Sequence, residues 1–177
     1  MRSAVFLDRD GVLNPLVKSD GGLRSPRVRT EFTLDAGAPE PVRRLRRAGF
    51  LVFVVTNQPD VARGRLPRSE LAAMNAELRA RLRVDDLRVC PHDDGDRCAC
   101  RKPRPGMLRV LARRWGVDLA ASYMVGDTWK DVAAGRAAGC RTVLIRRRYN
   151  AGVEADETVA SLADAADRIL AREAVHA

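Results

Sequence analysis

Aromatic residues are scarce in this chain of 177 residues, which contains two Trp, two Tyr and four Phe. Proteins that bind nucleic acid through unpaired bases stack those bases on aromatic rings, and no recognised nucleic-acid module is visible here. The formal charge of +9 comes from arginines scattered over most of the chain. We therefore expect no nucleic-acid partner and interpret the charge as a mostly solvated surface, with a few cations kept for an anionic substrate.

Long hydrophobic runs are also missing. No apolar stretch approaches the ~20 residues that a membrane-spanning helix needs. The chain reaches Asp8 too early to hold the apolar segment of a signal peptide. We therefore expect a cytoplasmic protein with no membrane partner, in which a disulfide between the few cysteines is disfavoured.

The sequence does contain a regular alternation of apolar strands and amphipathic helices. Strands are predicted at residues 3–8, 50–56, 87–89, 123–127 and 141–146, and helices at 39–48, 67–83, 105–115, 129–138 and 158–172. This alternation predicts right-handed crossovers and an α/β fold, a three-layer, doubly wound, mostly parallel sheet. No linker divides the chain, so residues 1–177 are expected to form a single domain. The polar residues 11–37 are predicted to form a long loop or short hairpin, which often serves as a lid.

The first predicted strand ends in Asp8-Arg9-Asp10-Gly11. Parallel α/β sheets bind ligands outside the carboxyl ends of their strands, and Asp8 and Asp10 would point the same way if the strand continued. Two carboxylates held close together repel each other, so they need a cation or a shared proton. The same residues also fit an ordinary Asp-Gly turn, and the pair alone leaves both interpretations open.

Three further motifs decide between these interpretations. They are Val55-Thr56-Asn57, Lys102-Pro103, and the segment from Gly126 to Asp131 that contains Asp127. Together with the first motif, this ordered series resembles the haloacid dehalogenase (HAD) superfamily of phosphohydrolases. The resemblance covers roughly residues 3–147 and implies a Rossmann-like HAD fold and Mg²⁺-dependent hydrolysis of a phosphomonoester.

The resemblance implies a role for each acidic residue. Asp8 is expected to be the nucleophile that forms an aspartyl-phosphate, and Asp10 the general acid and base. Asp127 would complete an oxygen-rich Mg²⁺ site with Asp8 and the backbone carbonyl of Asp10. Asp131, one helical turn further on, would support this metal site.

The remaining motif residues are expected to bind the phosphate. Thr56 and Asn57 offer a hydroxyl and an amide to phosphate oxygens. Lys102 would stabilise the charge that develops on the transferring phosphoryl group.

A second candidate site is a cluster of metal-ligand residue types, namely Cys90, His92, Cys98 and Cys100. Three thiolates and one imidazole suit a tetrahedral structural Zn²⁺, with free cysteines in a reducing cytosol as the alternative. The zinc loop at residues 90–100 would position Arg101 and Lys102, which follow it directly. Its Cys-x-His…Cys-x-Cys-Arg-Lys-Pro pattern resembles the HAD branch that holds the heptose 1,7-bisphosphate 7-phosphatases and the histidinol-phosphate phosphatases.

The resemblance favours the heptose group within this branch. Ala62-Arg63-Gly64 and the segment Arg101–Met107 resemble the heptose enzymes. Arg101, Arg63 and the arginines of the loop at residues 11–37 would suit the second phosphate of a sugar bisphosphate. The short loop from Cys90 to Cys100 is more similar to histidinol phosphatases. Thr128 is a departure as well, because a lysine often follows the aspartate in the heptose group. The expected reaction is removal of the 7-phosphate of D-glycero-D-manno-heptose 1,7-bisphosphate, with histidinol phosphate or another small sugar phosphate as the alternative.

The intervals between the motifs have no room for a cap domain, because the predicted loops, helices and strands already fill them. A site without a cap domain could also accept a macromolecular phosphoester as substrate. The non-enzyme alternative is a metal-dependent binding module on a phosphatase scaffold that has lost its catalytic activity. Every catalytic position of the family keeps its reactive residue type, which favours an enzyme. We expect a monomer that acts on a small phosphorylated metabolite.

Overall fold

The computed structural model describes residues 2–176. In chain order, the strands are β1 (Ala4–Leu7), β2 (Val17–Ser19), β3 (Gly22–Arg24), β4 (Leu51–Asn57), β5 (Asp86–Cys90), β6 (Tyr123–Gly126), β7 (Arg141–Ile145) and β8 (Glu157–Val159). The α-helices are α1 (Pro39–Arg47), α2 (Arg68–Leu82), α3 (Gly106–Trp115), α4 (Trp129–Ala138) and α5 (Leu162–His176).

Six strands form one sheet in the order β5-β4-β1-β6-β7-β8, and every neighbouring pair in it is parallel. The order reverses direction at β1, which pairs with β4 on one side and β6 on the other. Crevices for ligands in open α/β sheets lie outside the carboxyl ends of strands at such a reversal. The predicted fold class, a three-layer, doubly wound parallel sheet, is confirmed.

Strand β1 is buried on both of its faces. Val5 and Leu7 pack into one apolar core with α1, α2 and α5, whereas Ala4 and Phe6 pack into a second core with α3 and α4. Successive side chains of a strand point to opposite faces, so a strand between two helical layers needs an unbroken apolar run. This explains why β1 and β4 lack the polar alternation of a half-exposed strand.

The predicted helix over 158–172 is wrong at its beginning. Residues 157–159 form β8 instead, in which Thr158 pairs with Leu144 and Val159 with Ile145 of β7. The hydroxyl of Ser161 accepts a hydrogen bond from the backbone N–H of Asp164, and α5 begins only after this cap. β-branched residues beside an open sheet edge therefore pair with that edge, rather than extend the helix.

The segment predicted as a long loop or short hairpin contains the antiparallel hairpin β2–β3. Among the described residues, no inserted segment forms a separate cap domain, in agreement with the sequence prediction. None of the helices in residues 2–176 combines the length and the apolar character that crossing a membrane requires.

Candidate active site

Three carboxylates meet at the carboxyl edge of the sheet. Asp8 follows β1, Asp127 follows the neighbouring strand β6, and Asp131 lies in the first turn of α4. Each offers an oxygen that lies within 4.8 Å of the other two. All three side chains are buried, so their mutual repulsion is only weakly screened by water.

Lys102 lies among these acids and partly neutralises them. Its Nζ atom is 2.9 Å from Asp8 Oδ1 and 2.6 Å from Asp131 Oδ1. Burial alone would lower the pKa of Lys102, but the negative charges of Asp131 and Asp8 more than offset this effect and raise it. The ammonium group is therefore held in its charged form inside the protein.

The pKa of Asp8 is raised well above its ordinary value, first by burial and then by the charge of Asp131, with Lys102 opposing both. Burial likewise raises the pKa of Asp127 to about 6. Such perturbed acids concentrate at catalytic and metal sites. Lys102 supplies one positive charge against three carboxylates, so the group is suited to a divalent cation as well.

Asp127 has two different carboxylate oxygens. Its Oδ2 accepts a hydrogen bond from the hydroxyl of Tyr149, whereas its buried Oδ1 has no hydrogen-bond partner among residues 2–176. Its backbone carbonyl accepts a hydrogen bond of 2.8 Å from Asn150. A buried carboxylate oxygen left without a donor is costly unless a cation or another ligand completes it.

Asp10 is held in place by three neighbouring side chains. It accepts hydrogen bonds from Arg9 at 3.0 and 3.1 Å, from Asn14 at 3.0 Å and from Gln58 at 2.6 Å. Arg9 is fully buried and extends a further bond to Asn75 on α2. These contacts fix the orientation of the carboxylate towards the site.

The turn that returns Asp10 to the site requires Gly11. Its φ of +87° is unfavourable for other residues, and a Cβ atom there would lie 1.9 Å from Asp127 Oδ2. The chain therefore passes directly against the acid of the adjacent strand.

Thr56 and Asn57 at the end of β4 have different partners. The hydroxyl of Thr56 accepts a hydrogen bond of 2.9 Å from Gln58 and lines the cleft described below. Asn57 donates to the backbone carbonyl of Lys102 at 2.9 Å and accepts from its backbone N–H at 3.1 Å. The Asn57 amide, expected at the phosphate, is thus engaged in fixing the segment that carries Lys102.

The predicted phosphate-site residues share one cleft of about 220 Å³. Its wall contains all eight of them: Asp8, Asp10, Thr56, Asn57, Arg101, Lys102, Asp127 and Asp131. Leu16 and Ser25, which flank the β2–β3 hairpin, also line it, so the segment predicted as a loop or hairpin contributes to the cleft wall.

Three cysteines and one histidine cluster beside the cleft. The Sγ atoms of Cys90, Cys98 and Cys100 lie 3.2 to 3.5 Å from one another, and His92 Nδ1 lies 3.3 Å from the Cys100 sulfur. One ligand atom from each of the four residues lies within 4.8 Å of all the others. Three sulfur ligands and one nitrogen ligand at this spacing fit one tetrahedral Zn²⁺.

Arg101 is tied to the loop of this cluster. Its guanidinium donates to Asp94 at 2.7 Å and to the carbonyl oxygen of His92 at 3.2 Å. Cys140, the fourth cysteine, lies outside this cluster and is buried in the second apolar core.

Arg9, Gln58 and Tyr149 are absent from the residues selected by sequence reasoning. Arg9 and Gln58 adjoin motif residues, so their positions in the sequence were a usable signal. Tyr149 follows β7 at the same edge of the sheet as the acids. The position of Tyr149 just after a predicted strand was the one signal in the sequence that could have indicated its contact with Asp127.

The fold and the cleft define an α/β protein with a carboxylate-lined ligand site at the topological reversal of its parallel sheet. A profile of the HAD-hydrolase-like family matches residues 99–172. The chain is 41% identical to a D-glycero-β-D-manno-heptose-1,7-bisphosphate 7-phosphatase of Pseudomonas aeruginosa over 155 residues, 82% of each chain. It is 36% identical to the enzyme of the same name from Escherichia coli, over 81% of this chain and 78% of that one.

A solved structure is similar as well. The D,D-heptose 1,7-bisphosphate phosphatase of Bordetella bronchiseptica, in complex with magnesium and phosphate, superimposes with a TM-score of 0.85 at 35% identity, covering 96% of this chain and 99% of that one. The chain therefore belongs to the HAD superfamily, in the branch of these heptose-bisphosphate phosphatases. It is a phosphoric monoester hydrolase of the HAD type.

Proposed function

We propose that this chain removes the 7-phosphate of D-glycero-D-manno-heptose 1,7-bisphosphate through an aspartyl-phosphate. The observation that carries the proposal is the meeting of Asp8, Asp10 and Lys102 at one cleft that also holds Asp127. The heptose-bisphosphate phosphatases named above, similar over most of their length, support this substrate.

In the first step, a carboxylate oxygen of Asp8 attacks phosphorus, and the bond from phosphorus to the sugar oxygen breaks. Asp8 Oδ1 accepts hydrogen bonds from Lys102 and from the Arg9 backbone N–H, whereas Oδ2 accepts none from the described residues. Oδ2 is therefore the better-placed nucleophile. Asp10 gives its proton to the departing sugar oxygen.

In the second step, Asp10 takes a proton from water, and the water oxygen attacks phosphorus. The bond from phosphorus to Asp8 breaks, which releases inorganic phosphate and restores the Asp8 carboxylate and the protonated Asp10. Lys102 Nζ, already 2.9 Å from Asp8 Oδ1, stabilises the negative charge of the phosphoryl group in both steps. Thr56 supplies its hydroxyl to a phosphate oxygen, and Asn57 positions Lys102.

The acidic residues fit a Mg²⁺ ion. Asp8, Asp127 and the backbone carbonyl of Asp10 would hold it, and the unpartnered Oδ1 of Asp127 is suited to be a ligand. Asp131 supports the site indirectly and is not a metal ligand in this proposal, because its oxygens accept hydrogen bonds from Lys102 and Thr128. When bound, the ion would neutralise phosphate charge during transfer.

The cysteine cluster is proposed to hold a structural Zn²⁺ that fixes the loop carrying Arg101. Arg101 lines the cleft beside Lys102 and would contact the substrate away from the reacting phosphorus. We further propose that residues 1–177 form one domain and that the protein acts as a cytoplasmic monomer on a small phosphorylated metabolite.

A substrate panel tests the proposed function. We expect phosphate release from heptose 1,7-bisphosphate with a much higher kcat/KM than from histidinol phosphate or an aryl phosphate. Phosphorus NMR of the product would show which phosphate leaves. A preference for histidinol phosphate would replace the heptose proposal with the other branch of the family.

A further inference from the structure

The cleft has three cationic side chains in its wall, Arg101, Lys102 and Lys130. Lys102 is engaged with Asp8 and Asp131, and Arg101 with Asp94. Within residues 2–176, Lys130 makes no ion pair, and its Nζ lies 5.9 Å from the centroid of the Trp129 ring. Lys130 is therefore the cation at this cleft that remains available to an incoming anion.

The position of Lys130 in α4 is unfavourable for the helix itself. α4 begins at Trp129, so Lys130 lies in the first turn, where the backbone N–H groups and the helix dipole disfavour a cation. The same helix end attracts anions. A lysine here gains a favourable partner when a phosphate binds beside it.

Lys130 shares the cleft wall with Arg101, which is paired with Asp94. The guanidinium of Arg101 donates to Asp94 at 2.7 Å. The Asp94 side chain is 69% exposed, whereas that of Arg101 is 9% exposed. Two cations thus line one cleft, where a phosphate dianion can contact Lys130 and compete with the solvated Asp94 for Arg101.

We propose that Lys130 and Arg101 together bind the second, non-reacting phosphate of a sugar bisphosphate, which makes Lys130 a specificity-determining residue. This inference rests on the proposed function and deepens it. Lys102 serves the phosphate that is transferred, and Lys130 serves the phosphate that stays on the sugar.

Steady-state kinetics of Lys130→Ala on heptose 1,7-bisphosphate and on an aryl phosphate test the inference. We expect KM for the bisphosphate to rise about tenfold or more, the loss typical of one charge-assisted hydrogen bond, with kcat retained. KM for the aryl phosphate should not change, because that substrate has no second phosphate. Lys130→Arg should restore most of the affinity, and Lys130→Glu should weaken it further.

The matched control is Arg113→Ala, which removes an exposed cation of α3 that does not line the cleft. It should leave both KM values unchanged. An unaltered KM of Lys130→Ala for the bisphosphate, or an equal rise on both substrates, would overturn the role of Lys130. A wild-type protein without preference for the bisphosphate would instead overturn the proposed substrate, and this role with it.

Discussion

At the scale of the residue, Asp8 is distinguished from the surrounding acids by its contacts. Oδ1 is fixed by Lys102 and a backbone N–H, and Oδ2 accepts no hydrogen bond from the described residues. Asp8→Asn keeps the size of the side chain but removes the nucleophile. We expect phosphate release to fall by about a thousandfold or more, with the fold retained.

Phosphate release and circular dichroism of the same preparation check this prediction. Asp20→Asn, at an exposed acid of the β2–β3 turn, is the control and should behave as wild type. Turnover of Asp8→Asn within about tenfold of wild type would rule out Asp8 as the nucleophile.

Tyr149 acts on the site through another residue, since its hydroxyl donates to Asp127 Oδ2. Tyr149→Phe removes this donor and leaves the orientation of the carboxylate less restricted. Loss of such a partner typically weakens metal binding, here by about tenfold. We expect more Mg²⁺ to be needed for half-maximal activity, with kcat at saturating Mg²⁺ retained.

A Mg²⁺ titration of activity measures this shift for Tyr149→Phe. Trp129→Phe, at another exposed aromatic residue, should leave the titration midpoint in place. Identical midpoints for wild type and Tyr149→Phe would mean that the hydroxyl does not position Asp127.

At the scale of the element, the cysteine loop carries both Arg101 and, through the following peptide, Lys102. The purified protein should contain about one Zn²⁺ per chain. Cys98→Ser removes one ligand and should lower both the zinc content and Tm, because metal binding in such loops is coupled to local folding. The Mg²⁺ concentration needed for half-maximal activity should stay close to that of wild type.

Elemental analysis and thermal unfolding check the zinc prediction, with Cys140→Ala as the matched control. Cys140 is buried far along the chain from the loop, so its removal should leave the zinc content unchanged. Metal-preserved wild-type protein without zinc would contradict the assignment.

At the scale of the whole molecule, the two apolar cores share one sheet. Leu78 on α2 belongs to one core and Leu108 on α3 to the other, and both side chains are fully buried. Because strands such as β1 contribute to both cores, we expect the chain to unfold in one transition. Leu78→Ala and Leu108→Ala should each destabilise that same transition by about 2–5 kcal/mol.

Denaturant unfolding followed by fluorescence and by circular dichroism measures this cooperativity. The two signals should coincide in both variants, and light scattering should give a mass near 19.5 kDa, that of one chain. Two separated transitions would contradict the single domain, and a doubled mass would contradict the monomer.

The sequence alone determined the features that depend on local pattern. Apolar runs ending in acids placed Asp8 and Asp127 at strand ends, because parallel strands between helices are apolar throughout and carry ligand groups where they end. Resemblance to the HAD motifs added Lys102 and the catalytic, metal-binding or phosphate-binding role of each site residue. The close spacing of the cysteines likewise indicated their cluster.

Only the tertiary structure decided which side chains meet across long separations in sequence. Asn57 bonds to the Lys102 backbone, Tyr149 to Asp127, and Thr158 joins the edge of β7. No local pattern contains these contacts, because each depends on two segments that the sheet order brings together. The tertiary structure therefore brings the Asn57 amide to the backbone of Lys102, and it places Lys130 and Arg101 in the wall of the same cleft.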